Sequence, residues 1–253
     1  MNKKRNIDKE DLMWRIAAGC VLLIVILSYY FLKINYTSRG MINNYLNKRD
    51  GKILTEKLDK KIKSGNLSTD YEIDKTLEDI ELLGLNTINL PIVININDLT
   101  SSDVSIDSNS LQRAKWLLDK LKGKGINIIL EPYPWISNGS KYETEYNPNY
   151  KDAFFNNWKN NVLKPLIDEI AIPYRVDALN IATGFNNLEQ YETEFSDMID
   201  FTRKYYKGLI TYRTSYWTTA NWNDESTNEQ VSKLDENYYN KLNNSIFSKL
   251  DFI

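Results

Sequence analysis

Gly84-Leu85, Gly125-Ile126 and Gly208-Leu209 repeat one junction: a helix-period segment, a glycine, then a short apolar run. Glycine tolerates the left-handed backbone that ends a helix and turns the chain back. Helix, glycine and buried strand in repetition is the pattern of an α/β fold, with helices covering a parallel sheet. Strand candidates begin near Arg39, Asn86, Ile126, Ala178, Leu209 and Asp251, at spacings of 47, 40, 52, 31 and 42 residues. Each interval accommodates a crossover helix and is too long for a hairpin.

The intervening segments carry the matching helical stripes. Thr69-Asp70-Tyr71-Glu72 has capping-box spacing, and Ile73, Leu77, Ile80 and Leu83 follow at helical period. Leu111, Ala114, Leu118 and Leu121 form a second stripe. Phe154, Phe155, Trp158, Val162, Leu163, Leu166 and Ile170 form a third, and Phe195, Met198, Ile199 and Phe201 a fourth. Their aromatic members read as core. An open doubly wound sheet is expected to place a glycine-rich phosphate turn after its first strand. Arg39-Gly40-Met41-Ile42-Asn43-Asn44 has one glycine, ahead of its apolar residues. A (β/α)8 TIM-barrel-like architecture is therefore expected, incomplete at about six βα units.

Composition narrows the chemistry. Net charge is -2, from 32 basic and 34 acidic residues, so no nucleic-acid footprint is expected. The chain contains no histidine and one cysteine, Cys20. These counts exclude a Ser-His-Asp triad, an imidazole base, an internal disulfide and a thiolate metal cluster. No cofactor and no metal ligand are assigned, and catalysis would rest on Asp, Glu, Tyr, Lys or Arg, or on metals held by oxygen ligands.

The extreme N-terminus is different in kind. Ile16 to Ile34 is a run of 19 residues with Lys33 as its only charge. That length spans a bilayer as a helix. Lys3, Lys4, Arg5, Lys9 and Arg15 precede it, which keeps that end cytoplasmic and the rest outside. The expected organisation is a cytoplasmic basic tail over 1–15, a single-pass anchor over 16–34 and an extracellular domain over 35–253. A cleaved signal peptide is the competing reading, but Ser28-Tyr29-Tyr30 makes a poor cleavage site.

The most informative stretch is Gly125-Ile126-Asn127-Ile128-Ile129-Leu130-Glu131-Pro132-Tyr133-Pro134-Trp135. A strand buried on both faces ends in a carboxylate and two aromatics, and α/β barrels place substrate contacts at such strand ends. Glu131 is the leading acid/base candidate. A structural ion pair, with Arg213 as partner, is the competing reading. Tyr133 and Trp135 either face a ligand or close the barrel mouth. Tyr216, Trp217 and Trp222, interleaved with polar residues after the fifth strand, are candidate sugar platforms with Arg213 and Asn186 beside them. Glu143 and Glu145 lie in a polar loop from which a carboxylate reaches back over the site, or which is simply solvated.

Arg39-Gly40-Met41, Asn89-Leu90-Pro91-Ile92, the Glu-Pro-Tyr-Pro-Trp strand end, Thr211 to Trp217 and Leu250 to Ile253 together resemble clan A glycoside hydrolase barrels. The nearest likeness is to family 113-like, mannanase-type enzymes. The resemblance implies a retaining mechanism, with an acid/base Glu ending strand four and a nucleophile Glu on strand seven, about 5–5.5 Å apart. Gly184 stands where the strand-four Glu is expected, and the next carboxylate is Glu189. The sequence stops at Ile253, inside strand six, so a fragment, a partner that completes the open barrel edge and a degenerate product all remain open.

Two functions are expected from these residues. One is a membrane-anchored extracellular glycoside hydrolase acting on polysaccharide or cell-wall glycan. The other is a carbohydrate-binding or structural relative that lacks the acid/base Glu. A membrane-attached interaction protein without a sugar ligand is a more distant third.

Overall fold

The computed structural model describes residues 18–24, 26–28, 61–214 and 243–253. The chain falls into two units, Met1–Tyr45 and Leu46–Ile253. In the first, residues 18–24 and 26–28 are helical. Val21, Leu22, Leu23, Ile24, Ile26 and Leu27 are 45–64% exposed there, and Cys20 is exposed as well. Among the described residues no helix is long and apolar enough to cross a membrane. Residues 16, 17, 25 and 29–34 of the expected anchor, and the strand expected near Arg39, lie outside the described residues.

The second unit is an α/β sheet. Six strands form it: β1 (Ser64–Asn66), β2 (Thr87–Ile96), β3 (Val104–Ile106), β4 (Asn127–Ile136), β5 (Ala178–Thr183) and β6 (Leu209–Arg213). The order is β1-β2-β4-β5-β6, all parallel, with β3 antiparallel on β2. Phe252 adds a parallel bridge to Thr211, beside β6 where the sixth strand was expected. Among the described residues of this unit the longer helices are α1 (Ile73–Leu83), α2 (Ser108–Leu121), α3 (helical over 151–171) and α4 (Glu192–Tyr205). Within α3, Trp158–Leu163 and Ile167–Ala171 are π-helical.

Alternation decides what each sheet face does. Side chains two apart share a face of a strand. Ile88, Leu90, Ile92 and Ile94 of β2 are fully buried, as is Leu130 of β4, with Ile128 nearly so. The opposite face carries Asn89, Val93, Ile129, Tyr133 and Trp135, all partly exposed, with Glu131 buried among them. One face is thus an apolar core and the other carries chemistry. Pro91 of β2 falls between the stretches paired with β1 and β3, and Pro132 and Pro134 of β4 lie past the end of the β5 ladder. Each sits where one flank of its strand is unpaired, which is where sheets tolerate an imide.

A repeated clamp sets the strand stagger. An acidic or amide side chain ahead of one strand accepts the backbone N–H at the entry of its neighbour. Asn86 takes Lys63 at 2.9 Å, Asp177 takes Ile128 at 2.8 Å and Asp251 takes Ile210 at 2.7 Å. The expected aromatic stripe on α3 is core: Phe154, Phe155, Trp158, Val162, Leu163, Leu166 and Ile170 are all buried. Trp158 also donates its indole N–H to the Ile181 carbonyl at 2.8 Å, tying α3 to β5.

Three expectations are corrected. β1 is three residues with no apolar alternation, so it gave no strand signal, yet it flanks β2 from only 23 residues upstream. The Thr69 capping box is not formed. The helix starts at Ile73, because Tyr71 is drawn into the core and Arg113 ties the preceding turn through the Thr69 carbonyl at 3.0 Å. The three glycines also differ. Gly84 and Gly125 are left-handed at φ +60° and +73°, whereas Gly208 is required because a Cβ there would collide with the Tyr206 side chain.

Gly84 is the cleaner test of the left-handed cap, since its missing Cβ would meet open space. Gly84→Ala is expected to lower stability by about 1–2 kcal/mol through backbone conformation alone. Urea unfolding measures it, and an unchanged midpoint would contradict the assignment.

Candidate functional site

Glu131 is 1% exposed. A buried carboxylate is stable only with partners, and here they come from three neighbouring strands. Asn89 of β2 donates its side-chain N–H to Oε2. Thr183 of β5 donates its hydroxyl to Oε1 at 2.7 Å, and Arg213 of β6 pairs with the same oxygen at 3.1 Å. The ion pair weighed against the catalytic reading of Glu131 is thus formed, with the Arg213 side chain 42% exposed.

Asn180 of β5 completes the network. It donates to the Thr183 hydroxyl at 3.0 Å and accepts the backbone N–H of Arg213 at 3.2 Å and of Ala182 at 3.3 Å. The β5–β6 register shifts between Asn180 and Thr183. Such an irregularity re-aims side chains, and here Asn180 and Thr183 are brought together through it.

The expected aromatics flank this cluster. Tyr133 lies under the Arg213 guanidinium, 5.9 Å from it to the ring centroid. Burial, then the charge of Glu143, pushes the Tyr133 hydroxyl above its ordinary range; Glu131 adds to this and Arg213 opposes it. The Ser137–Ser140 turn folds back over Trp135, so closely that a Cβ on Gly139 would strike the indole. Tyr216, Trp217 and Trp222 lie outside the described residues.

β5 ends on Gly184, at φ +62°. Its N–H bonds the Arg213 carbonyl at 2.8 Å, and its own carbonyl accepts Asn186 at 2.8 Å. Phe185, the residue between, is buried against Tyr146, Phe154 and Trp158 at 5.1–5.4 Å. Asn186 is partly exposed just beyond. Glu189 is 6% exposed and receives the Tyr212 hydroxyl at 2.7 Å and the Thr214 hydroxyl at 3.0 Å. Burial and the adjacent Glu189 charge raise Tyr212 well above its usual range. Among the described residues no cluster of three or more acidic or cysteine side chains is disposed to hold a metal ion.

The structure therefore gathers Glu131 and Tyr133 of β4 with Arg213 at the end of β6. β4 runs on through Trp135 to Ile136, paired all along with β2, so Glu131 lies within the strand and not at the strand end expected for it. It holds Glu189 in a separate contact with Tyr212. Asn89, Asn180 and Thr183 were missed as site residues. Their signal was a polar residue on one period-two face of an otherwise apolar strand.

These elements define a class at the level of fold: a mostly parallel α/β sheet with a polar cluster on one face, between β2 and β4 and the ends of β5 and β6. No protein-family model matches the chain, and no curated protein does. Among solved structures it is similar to a GH113 β-1,4-mannanase at 17% identity and TM-score 0.53, covering 72% of this chain and 68% of that one. A complex structure of a GH113 β-1,4-mannanase aligns at 18% identity and TM-score 0.52, with 71% and 67% covered. The GH113 β-mannanase AaManA from Alicyclobacillus acidocaldarius aligns at 14% identity and TM-score 0.49, with 56% and 49% covered. The first two bear out the family 113-like resemblance as one of fold.

Glu131→Gln and Arg213→Met are each expected to cost about 2 kcal/mol, the scale of a charged hydrogen bond. The double variant should cost less than their sum, because the residues share one contact. A denaturation cycle reads this, and strict additivity would deny the pair. Alkaline pH supplies a second test. The folded chain holds Tyr212 protonated, while the unfolded chain ionises near pH 10. Its contribution is thus present below about pH 10 and lost as pH rises further. Tyr212→Phe should flatten that loss in pH-resolved thermal unfolding.

Proposed function

We propose that this protein is a membrane-anchored, extracellular polysaccharide-binding protein built on a glycoside-hydrolase-type barrel. Its polar cluster recognises the glycan and does not cleave it. The observation that carries this reading is the state of the expected acids. Both oxygens of Glu131 are engaged by donors, and β5 ends on Gly184 instead of a carboxylate. Retaining hydrolysis needs two carboxyl groups about 5–5.5 Å apart, one of them able to deliver a proton. The mannanase likeness makes a β-linked polysaccharide the ligand class. Tyr133 supplies the ring on which a pyranose face stacks, and Arg213 supplies donors for its hydroxyls. Trp135, on the same face of β4 as Tyr133, extends that surface in this reading.

The anchor rests on the apolar run Ile16 to Ile34 and on the exposed apolar side chains of its described part. A helix apolar on every side needs lipid or protein around it. The basic residues ahead of the run orient the domain outward. A hydrolytic reading has one observation in its favour: the Glu143 side chain lies against Gly184, bringing a carboxylate to the end of β5.

The test is affinity electrophoresis of the full-length, detergent-solubilised protein through gels containing glucomannan, xylan, chitin fragments or peptidoglycan, with a reducing-sugar assay alongside. Retardation without release of reducing ends is expected, and Tyr133→Ala should weaken it about tenfold. No retardation in any gel would overturn glycan binding. Sugar release would overturn the non-catalytic part, and extraction of the protein from membranes by alkaline carbonate would overturn the anchor.

A further inference from the structure

Glu131 and Glu189 have hydrogen-bond donors at their carboxylates; Glu143 does not. Among the described residues its carboxylate has no hydrogen-bond or ion-pair partner. It is nevertheless held in place. Glu143–Glu145 forms a single 3-10 turn, and Asn187 donates to the Thr144 carbonyl at 3.2 Å and the Tyr146 carbonyl at 3.3 Å. Tyr146 anchors the end of that turn, with its hydroxyl on the Ser101 carbonyl at 2.6 Å and its ring 5.2 Å from Phe185. The loop after β4 is thereby fastened to the loop after β5.

Gly184 admits the side chain. A Cβ at that position would stand 2.6 Å from Glu143 Cγ and 3.3 Å from its Oε1. A larger residue would evict the carboxylate from the end of β5. Half-buried there, Glu143 acts electrostatically on both Tyr133 and Tyr212. The one guanidinium in contact with Tyr133, that of Arg213, is already paired with Glu131. The rim thus carries a carboxylate that the described protein does not compensate.

We infer that Glu143 contacts the sugar directly, beside Tyr133 and Arg213, and that its uncompensated charge selects glycans that are neutral or carry a protonated amine over glycans built from uronic acids. The inference rests on the glycan-binding reading and names its ligand class. A docked sugar strips the remaining water from Glu143, so the ligand must return hydrogen-bond donors. A neutral pyranose offers adjacent hydroxyls, and an amino sugar adds an ammonium. A uronate brings a second negative charge to the same place, which is selection by repulsion.

The experiment measures binding of the full-length protein to soluble glucomannan, chitosan and polygalacturonate at low and high salt. Wild type should bind chitosan and glucomannan at least about tenfold more tightly than polygalacturonate. Added salt should weaken chitosan binding and leave glucomannan binding in place. Glu143→Gln should lose about tenfold on chitosan and narrow the gap to polygalacturonate. Glu145→Gln, at the exposed neighbour, should change neither. Unchanged binding by Glu143→Gln, with wild type binding at least one polymer, overturns the inference and leaves the glycan reading standing. A wild-type preference for polygalacturonate does the same, and needs no variant to fold. Failure of wild type to bind any of the three overturns the glycan reading and the inference with it.

Discussion

A carboxylate sealed inside a sheet couples everything that must come to it. Glu131 cannot be buried unpaired without a penalty of several kcal/mol, so its donors must arrive together. They come from β2, β5 and β6, the near neighbours of β4 in the sheet order. A slip of any of these strands by one residue would move its donor to the opposite face. The buried charge is therefore a register lock for these strands, as the Asn86, Asp177 and Asp251 clamps are at strand entries.

This lock bears on what the site can do. A carboxylate committed on both oxygens holds Arg213 over Tyr133 and so builds a rigid donor-and-ring surface. Acid–base work calls for a group with a proton to give at the reacting atom. Those two demands separate here: Glu131 organises, while the uncommitted acid, Glu143, is supplied by a loop. That loop is tied down by the packing of Tyr146 on Phe185 and by the Asn187 hydrogen bonds.

Several features were legible in the residues because they depend on local chemistry. The helix stripes and the buried strands from Thr87, Asn127, Ala178 and Leu209 follow from periodicity and composition, whereas the run of Glu131 to Trp135 expected at a strand end lies within β4 because β2 pairs with it as far as Ile136. The pairing of Arg213 with Glu131 was already one of two alternatives, since a buried acid near a strand-end arginine has few other partners. β1 and β3 were illegible for the opposite reason. Three-residue strands carry no period, and their pairing to β2 is set by tertiary packing.

The sequence alone determined that this chain alternates helices with buried parallel strands, bears an apolar N-terminal run and lacks imidazole chemistry, because each is a property of composition or short-range spacing. Only the tertiary structure decided which acids are spent and which is left over. Glu131, Glu143 and Glu189 are the same in kind by composition. Their difference lies in donors contributed across the sheet from Asn89, Thr183, Arg213 and Tyr212, and in the space left open at Gly184. Those partners are distant along the chain, and only the sheet brings them within hydrogen-bonding distance.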